Sequence, residues 1–278
     1  MTDSDAERYS PLAEIGGTHR MATLITGASM GLGKAMAWEC ARRGRDLLLA
    51  SLPGEDLAET AREIEAACGV RVQIHEIDLT ADGAPALLAA WALENKPVDA
   101  LINNAGLGGS RAIGDADTGY LERMIRLNVL AVSLLTQALL PELKTHPAAR
   151  VLNVASLAAC GPLPFKTVYP ASKAFVLHWS RALRAELRGT SVRVGVLLPG
   201  PMRTNADVRG RLDKQGWIGR RTTITPEAAA RIAVCGLVRG RAIIVPGAAA
   251  KLNRFLIGAV PTPILLFFTG RVFSREAN

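Results

Sequence analysis

Short apolar runs alternate with helix-length stretches along this chain, and that alternation limits the fold more than any other feature. The runs lie at 22–26 (ATLIT), 46–50 (DLLLA), 71–77 (RVQIHEI), 98–102 (VDALI), 150–155 (RVLNVA), 192–198 (VRVGVLL) and 242–245 (AIIV). Helical stretches fall near 32–43, 55–68, 83–94, 117–144, 170–188 and 226–238. Runs with little polar alternation suit strands buried on both faces. Parallel strands need a crossover, and the helical stretches supply it. The pattern predicts one doubly wound α/β domain around a parallel seven-stranded sheet with right-handed crossovers. A length of 278 residues, 49% hydrophobic with only 5% aromatic, fits a sheet packed between helices. Neither an internal repeat nor an interdomain linker interrupts the pattern.

The ends differ in character from this body. Residues 1–20 (MTDSDAERYSPLAEIGGTHR) are polar and lack the apolar centre of a secretory signal. They are expected to be a disordered leader, with Met21 as an alternative start site. Cys40, Cys68, Cys160 and Cys235 show neither C-x-x-C spacing nor a disulfide framework, which points to a reducing cytoplasm. No metal-ligand set is read. The net charge of +8 is compatible with a solvated Arg-rich surface. The basic residues are neither interleaved with aromatics nor confined to one segment, so no nucleic-acid partner is expected.

Between the first run and the first helix stands TLITGASMGLGKAMA, residues 23–37. It contains G-x-S-x-G, the nucleophile elbow of hydrolases, with Ser29 at its centre. It also contains T-G-x-x-x-G-x-G, a turn that can cradle a dinucleotide phosphate. An elbow usually follows several strands, with an acid and a His after it. Here Ser29 follows the first strand, and His75, His146 and His178 have no catalytic placement. The glycines fit cofactor binding better. Gly27 permits the sharp turn, Gly31 lets backbone approach a pyrophosphate, and Gly33 lets the helix pack closely. The helix N-terminus then offers free N–H groups to phosphate. A glycine-rich turn without a ligand is the bland alternative.

Further motifs follow in order: Asn-Asn-Ala-Gly at 103–106 after the fourth strand, Asn128 on a long helix, Ser156 closing the fifth strand, Tyr169 and Lys173 as Y-x-x-x-K, and LLPGPMRT at 197–204. Tyr169 is the only tyrosine of the three with Lys four residues on. Singly, each has a bland reading: Ser156 a strand-end cap, Asn128 a polar helix residue, Tyr169 a surface aromatic. As an ordered set over roughly residues 21–250, they resemble the short-chain dehydrogenase/reductase family. The resemblance implies a Rossmann-type sheet, a nicotinamide cofactor and interconversion of a ketone with a secondary alcohol.

Residue chemistry agrees with that implication. Hydride transfer to a carbonyl builds negative charge on oxygen, so a proton donor must stand beside it. Free Tyr, with a pKa near 10, exchanges protons poorly at neutral pH, and a nearby cation favours its phenolate. Lys173, one helical turn beyond Tyr169, shares its face. The resemblance makes Tyr169 the general acid or base. It gives Lys173 a double role, lowering the pKa of Tyr169 and binding the nicotinamide ribose. Ser156 steadies the developing oxyanion, and Asn128 holds a relay water.

By the same resemblance, the cofactor is bordered by the loop Gly27, Ser29, Met30, Gly31, Leu32 and Gly33, then by Asp78 and Leu79 beside the adenine. Asn104, Ala105 and Gly106 line the adenosine side, and Pro199, Gly200 and Thr204 border the nicotinamide. A helix cap is the alternative for Asp78. An acid at the end of the second strand would bind the ribose 2′-hydroxyl and repel a 2′-phosphate. Ala50 and Ser51 stand there instead, which favours NADP(H) over NAD(H). The Arg that often follows in NADP-preferring relatives is replaced by Ser51, leaving Arg42, Arg43 or Lys34 to reach the phosphate.

A substrate lid is expected at about 201–225. It carries Arg203, Arg209, Arg211, Lys214, Arg220 and Arg221 against Asp207 and Asp213. It is either a solvated loop or a contact for an anionic partner, such as an acyl thioester or acidic lipid headgroups. Leu157, Leu163 and Phe165 suggest an apolar wall around a lipophilic or acyl substrate. Residues 251–278 form an apolar extension whose run at 255–268 is short of the roughly 20 residues that span a bilayer and is interrupted by Pro261 and Pro263. It is expected to fold into two helical pieces, packed on the body or in a homodimer or homotetramer contact, with peripheral membrane contact as the alternative. Two other functions remain at this point: a non-catalytic cofactor-binding sensor or scaffold, and a serine hydrolase using Ser29.

Overall fold

The structure, a computed structural model, describes residues 21–202 and 224–277. The leader 1–20, Thr204 and all but the edges of the expected lid lie outside the described residues.

Seven parallel strands form one sheet: β1 (Ala22–Thr26), β2 (Asp46–Ser51), β3 (Val72–Glu76), β4 (Val98–Asn103), β5 (Arg150–Val154), β6 (Arg193–Leu197) and β7 (Ile243–Ile244), in the order β3-β2-β1-β4-β5-β6-β7. The chain moves outward from β1 in one direction, then crosses back to β4 on its other side. The switch point therefore lies between β1 and β4, where an open α/β sheet offers a crevice at the carboxyl ends of its strands.

The crossovers are α1 (Gly31–Ala41), α2 (Leu57–Cys68), α3 (Ala84–Asn95), α4 (Thr118–Ile125), α5 (Val132–Thr145), α6 (Val168–Glu186) and α7 (Pro226–Val238). Neighbouring residues of each strand feed opposite faces. Ile25, Leu49 and Ile102 pack with Met36, Ile64 and Val234 on one side, while Leu24, Leu48 and Leu101 pack with Leu88, Leu135 and Leu139 on the other. All twelve are essentially inaccessible, and burying each such side chain is worth roughly 1.5–3 kcal/mol. Beneath β1, Arg45 pairs with the Asp99 carboxylate and donates to Thr23 Oγ1 at 3.1 Å, so the buried charge is matched.

The stretch expected as one helix at 117–144 is α4 and α5 joined by a π-helical turn at Arg126–Ala131. By length and composition the whole 28-residue helix could cross a membrane. Leu135, Leu139 and Leu143 are instead buried against the sheet.

After β7 the chain forms α8 (Ala248–Ala259) and α9 (Thr262–Ala277). The break falls at Val260 and Pro261, and Pro263 stands in the first turn of α9, where a missing N–H costs nothing. Only Ala250, at the start of α8, joins the core, packing in a cluster with Leu157, Val176 and Val196. The two helices lean over the carboxyl ends of the strands, on the segment between β5 and α6.

Candidate active site

At the switch point, β1 ends in Thr26 and the chain turns through Gly27 (φ 65°) and Gly31 (φ 54°), conformations open to glycine at little cost. Position 33 is closed by backbone: a side chain at Gly33 would run into the Gly27 carbonyl. Met30 occupies the N-cap of α1 in extended conformation and supplies no capping oxygen. The first N–H groups of α1 are thus left for an anion, with the positive end of the helix dipole behind them.

Asn104 staples this loop to β4. Its Nδ2 donates to the carbonyls of Thr26 (3.0 Å) and Gly27 (2.9 Å). Thr26 Oγ1 in turn accepts from the N–H groups of Asn104 and Ala105. The side chain of Asn104 therefore holds the loop's shape, and Thr26 is a supporting residue that the sequence reading missed.

The second cluster stands at the ends of β5 and β6. Ser156 leaves β5, and its Oγ accepts from the Ala158 N–H at 3.1 Å. That is the cap of the bland reading, yet the hydroxyl proton remains to be donated. Tyr169 and Lys173 lie on the first turns of α6. The Tyr169 ring rests on Gly108, where an added Cβ would fall 2.9 Å from Cε2. Lys173 Nζ is buried and donates to the Val154 carbonyl at 2.9 Å. Burial pushes its ammonium down to about 8, because no carboxylate offsets the lost hydration.

Asn128, fully buried, sits in the π turn. Its Oδ1 accepts from Leu107 N–H (2.9 Å), and its Nδ2 donates to the Leu107 carbonyl (2.8 Å) and Ser172 Oγ (3.0 Å). Ser172 Oγ passes the chain on to the Tyr169 carbonyl at 2.7 Å. Both amide protons are thereby committed, so the side chain clamps the 106–108 loop to α6. The expectation is a side chain that holds a relay water; the structure shows a clamp, set in a π turn, a form that recurs at functional sites.

These two clusters open onto one cavity of about 930 Å³. Of the expected positions, Gly27, Ser29, Met30, Gly31, Leu32, Ser51, Asp78, Leu79, Asn104, Ala105, Gly106, Ser156, Tyr169, Lys173, Pro199 and Gly200 line it. Gly33 and Asn128 stand behind its wall. Asp78 also caps locally, accepting from Thr80 N–H and Oγ1 at 2.8 and 2.7 Å, as its bland reading expects. Leu157 and Leu163 form apolar wall as expected. Phe165 does not: its positive φ of 62° turns it away to a small hollow beside Tyr120 and Met124.

The three cations expected to meet a 2′-phosphate are engaged elsewhere. Lys34 pairs with Glu63 (3.3 Å), Arg43 pairs with Glu39, and Arg42 stacks on Trp38. None of them lines the cavity. Ser29 hydrogen-bonds to an acid rather than a histidine: its Oγ donates to Glu55 Oε2 at 2.6 Å. Among the described residues, His75, His146 and His178 all lie off the cavity, so Ser29 has no histidine base. The roof comes from Leu256, Ile257, Leu265 and Phe273 of α8 and α9, whose part in the site no short motif announces.

Comparison with known proteins agrees with this geometry. The profile of the short chain dehydrogenase family matches residues 21–215. Ketoacyl reductase HetN of Nostoc is 34% identical over 178 residues, 64% of this chain and 62% of that protein. The very-long-chain 3-oxoacyl-CoA reductase of Kluyveromyces lactis is 35% identical over 183 residues, 63% of this chain and 53% of that protein. The chain thus spans less than two thirds of the length of these relatives. Among solved structures, a 7beta-hydroxysteroid dehydrogenase superimposes with a TM-score of 0.82 at 25% identity, covering 91% of this chain and 97% of the other. A Sphingobium yanoikuyae short-chain dehydrogenase in complex with NADPH gives 0.73 at 29%, with 86% and 93% covered. A Burkholderia phymatum short-chain dehydrogenase in complex with NAD gives 0.77 at 25%, with 86% and 92% covered. The match over residues 21–215, on a chain that gathers the ordered motifs around one cavity, means that this protein belongs to the short-chain dehydrogenase family.

Proposed function

We propose that the protein interconverts a lipophilic or acyl ketone and its secondary alcohol with a nicotinamide dinucleotide. One observation carries the reading: the uncapped N-terminus of α1 and the set Ser156, Tyr169 and Lys173 border the same cavity. A bound nicotinamide supplies or accepts the hydride, and the residues present fit such a group. The α1 N–H groups suit a pyrophosphate, and Asn104 keeps them in place. The chain's own part is to manage charge and protons at the substrate oxygen. Ser156 donates to that oxygen. Tyr169 delivers its phenolic proton in reduction and takes it back in oxidation. Lys173, protonated below about pH 8, stands one turn away and favours the phenolate. Asn128 acts through Leu107 and Ser172, and so is a positioning residue.

The substrate class rests on the walls. Leu157, Leu163, Leu256, Ile257, Leu265 and Phe273 surround the space beyond Tyr169 and Ser156 with apolar surface. The acyl and steroid ketones named for relatives are of that kind. The outer face of α8 and α9 is also apolar, with Phe255 and Phe268 exposed to 71% and 63%. Lys251, Arg254 and Arg271 stand in the same two helices. This supports peripheral contact with an anionic bilayer, read by co-sedimentation with vesicles containing phosphatidylglycerol, against a variant carrying Phe255→Ser and Phe268→Ser. Equal sedimentation of the two proteins removes that contact. Exposed Leu130 and Leu134 on the π turn and α5, with Phe175 on α6, support a homodimer.

Tyr169→Phe keeps the ring against Gly108 and removes the transferable proton. Turnover is expected to fall by at least about 10²-fold, the lower range for one acid–base group, with dinucleotide affinity little changed. Near-parental turnover on 3-oxoacyl thioesters or bulky ketones ends the mechanism. Binding without turnover in the parent, over a panel of such substrates, leaves the sensor reading instead.

A further inference from the structure

The adenosine end of the cavity holds a carboxylate that the end of β2 does not announce. β2 closes with Ala50 and Ser51, and the chain then runs Leu52-Pro53-Gly54-Glu55-Asp56 before α2. Two residues of this turn are left-handed, Gly54 (φ 79°) and Asp56 (φ 51°). The second is a non-glycine residue in a conformation that L side chains seldom adopt. Leu52 lines the cavity mouth while 46% exposed, and offers no polar group there. Glu55, between the two left-handed residues, is brought back to the cavity wall. Its Oε2 accepts from Ser29 Oγ at 2.6 Å, the length of a charge-assisted hydrogen bond. Its Oε1 has no hydrogen-bond partner among the described residues.

Among the described residues, no cation pairs with that carboxylate. The described cations that line the cavity are Arg123, Lys166 and Lys173. They come from α4, the segment before α6, and α6 itself, and none from the β1–α1 or β2–α2 turns. Lys34, Arg42 and Arg43, the basic side chains on the neighbouring helix, pair with Glu63 or Glu39 and stay outside. A hydroxyl arriving between Ser51 and Ser29 meets an acceptor. A phosphate arriving there meets a negative charge.

Resting on the dinucleotide reading of this cavity, we infer that Glu55 accepts from the adenosine ribose and excludes a 2′-phosphate, so that the protein selects NAD(H) over NADP(H). The acid reaches the site from the turn before α2 rather than from the end of the strand. The absence of an acid at Ala50 and Ser51 therefore does not mark an NADP site here. Ser29, held by Glu55, belongs to the same arrangement and is no nucleophile.

Isothermal titration calorimetry of the full chain with NAD⁺, NADP⁺, 5′-AMP and adenosine 2′,5′-bisphosphate tests this without turnover. NAD⁺ is expected to bind at least about tenfold tighter than NADP⁺, and 5′-AMP tighter than the bisphosphate, since a misplaced like charge readily supplies that discrimination. Glu55→Gln keeps shape and removes charge. It should narrow the NAD⁺ preference by about tenfold, and Glu55→Arg should invert it. Thermal melts of both variants establish that they are folded. NADP⁺ binding as tightly as NAD⁺ to the parent, or an unchanged ratio in Glu55→Gln, overturns the inference and leaves the oxidoreductase reading standing. Binding of neither dinucleotide overturns both.

Discussion

The cavity's two ends are built on opposite principles. Around the glycine turn of the cofactor end, the close contacts are made by backbone. Gly27 and Gly33 touch carbonyls and a main-chain Cα, and Asn104 pins the loop with two hydrogen bonds. At the roof the walls are side-chain tips. Leu265 and Ile257 come down on Gly161, and Lys166 Nζ lies 4.3 Å from the centre of the Phe273 ring. Backbone held by a sheet cannot give way, whereas a leucine on a helix at the edge of the fold can change rotamer. One end is therefore specified atom by atom, while the other is only required to be apolar and roughly the right size. A common dinucleotide and a variable substrate call for that division.

The sharpest way to break the comparison is a methyl group at Gly33. The added carbon would overlap the Gly27 carbonyl and lie 2.6 Å from Asn104 Nδ2, and neither neighbour can move without unpicking the loop. Gly33→Ala is expected to destabilise the fold by about 3 kcal/mol, the upper range for overpacking. Dinucleotide binding should weaken by at least about tenfold in calorimetry. A variant with parental stability and affinity would mean that the loop is soft, and the contrast with the roof would fail.

This asymmetry also governs what could be read from the chain. The strands, the crossovers and the glycine turn were legible because each rests on local rules. Apolar runs mark strands buried on both faces, and Gly27 and Gly31 mark positive φ. The Tyr169–Lys173 pair was legible because four residues make one helical turn. Glu55 was not, because Asp56 holds a left-handed conformation with no glycine to advertise it. Phe165 was misplaced for the same reason: its φ of 62° sends the ring away from the cavity its neighbours line. The clamp by Asn128 depends on a π turn, which the apolar pattern of α4 and α5 does not betray. The tail was legible as two helices broken at the proline pair, with the break at Pro261 and Pro263 in the first turn of the next helix, but their seat over Gly161 depends on contacts distant in sequence.

Lys173 stands at the seam between the two ends and offers a smaller effect. Its folded pKa of about 8 lies below the ordinary lysine value of 10.5, because burial strips the ammonium of water. Below pH 8 both folded and unfolded chains carry the proton, and the folded state bears the full penalty of a buried charge. Between these values the unfolded chain holds more protons, so stability rises with pH. The rise attributable to Lys173 is about 3 kcal/mol at most, reached near pH 10.5. The difference in urea stability between the parent and Lys173→Met, followed from pH 7 to 10, isolates this contribution because other titrating groups cancel. The parent should gain on the variant as pH rises. A flat difference would show that Lys173 is better solvated than its burial implies.

The smallest effect belongs to the roof. Gly161 has an extended backbone (φ −164°) that any residue adopts, so only the space around it matters. An added Cβ would sit 2.8 Å from Leu265 Cδ2 and 2.9 Å from Ile257 Cγ2. Both are far ends of flexible side chains, on helices whose outer faces are unpacked. Gly161→Ala should therefore lift the roof slightly and change stability by no more than about 1 kcal/mol, well under the cost at Gly33. The same displacement alters the apolar wall next to Ser156. A KM shift of about threefold is expected for long-chain or steroid-like ketones, with the dinucleotide KM unmoved, since repacking on this scale is worth well under 1.4 kcal/mol. Thermal melting together with kinetics on one short and one long ketone reads both effects. If Gly161→Ala destabilises the chain as severely as Gly33→Ala, α8 and α9 are part of the rigid core, and the cavity has one construction throughout rather than two.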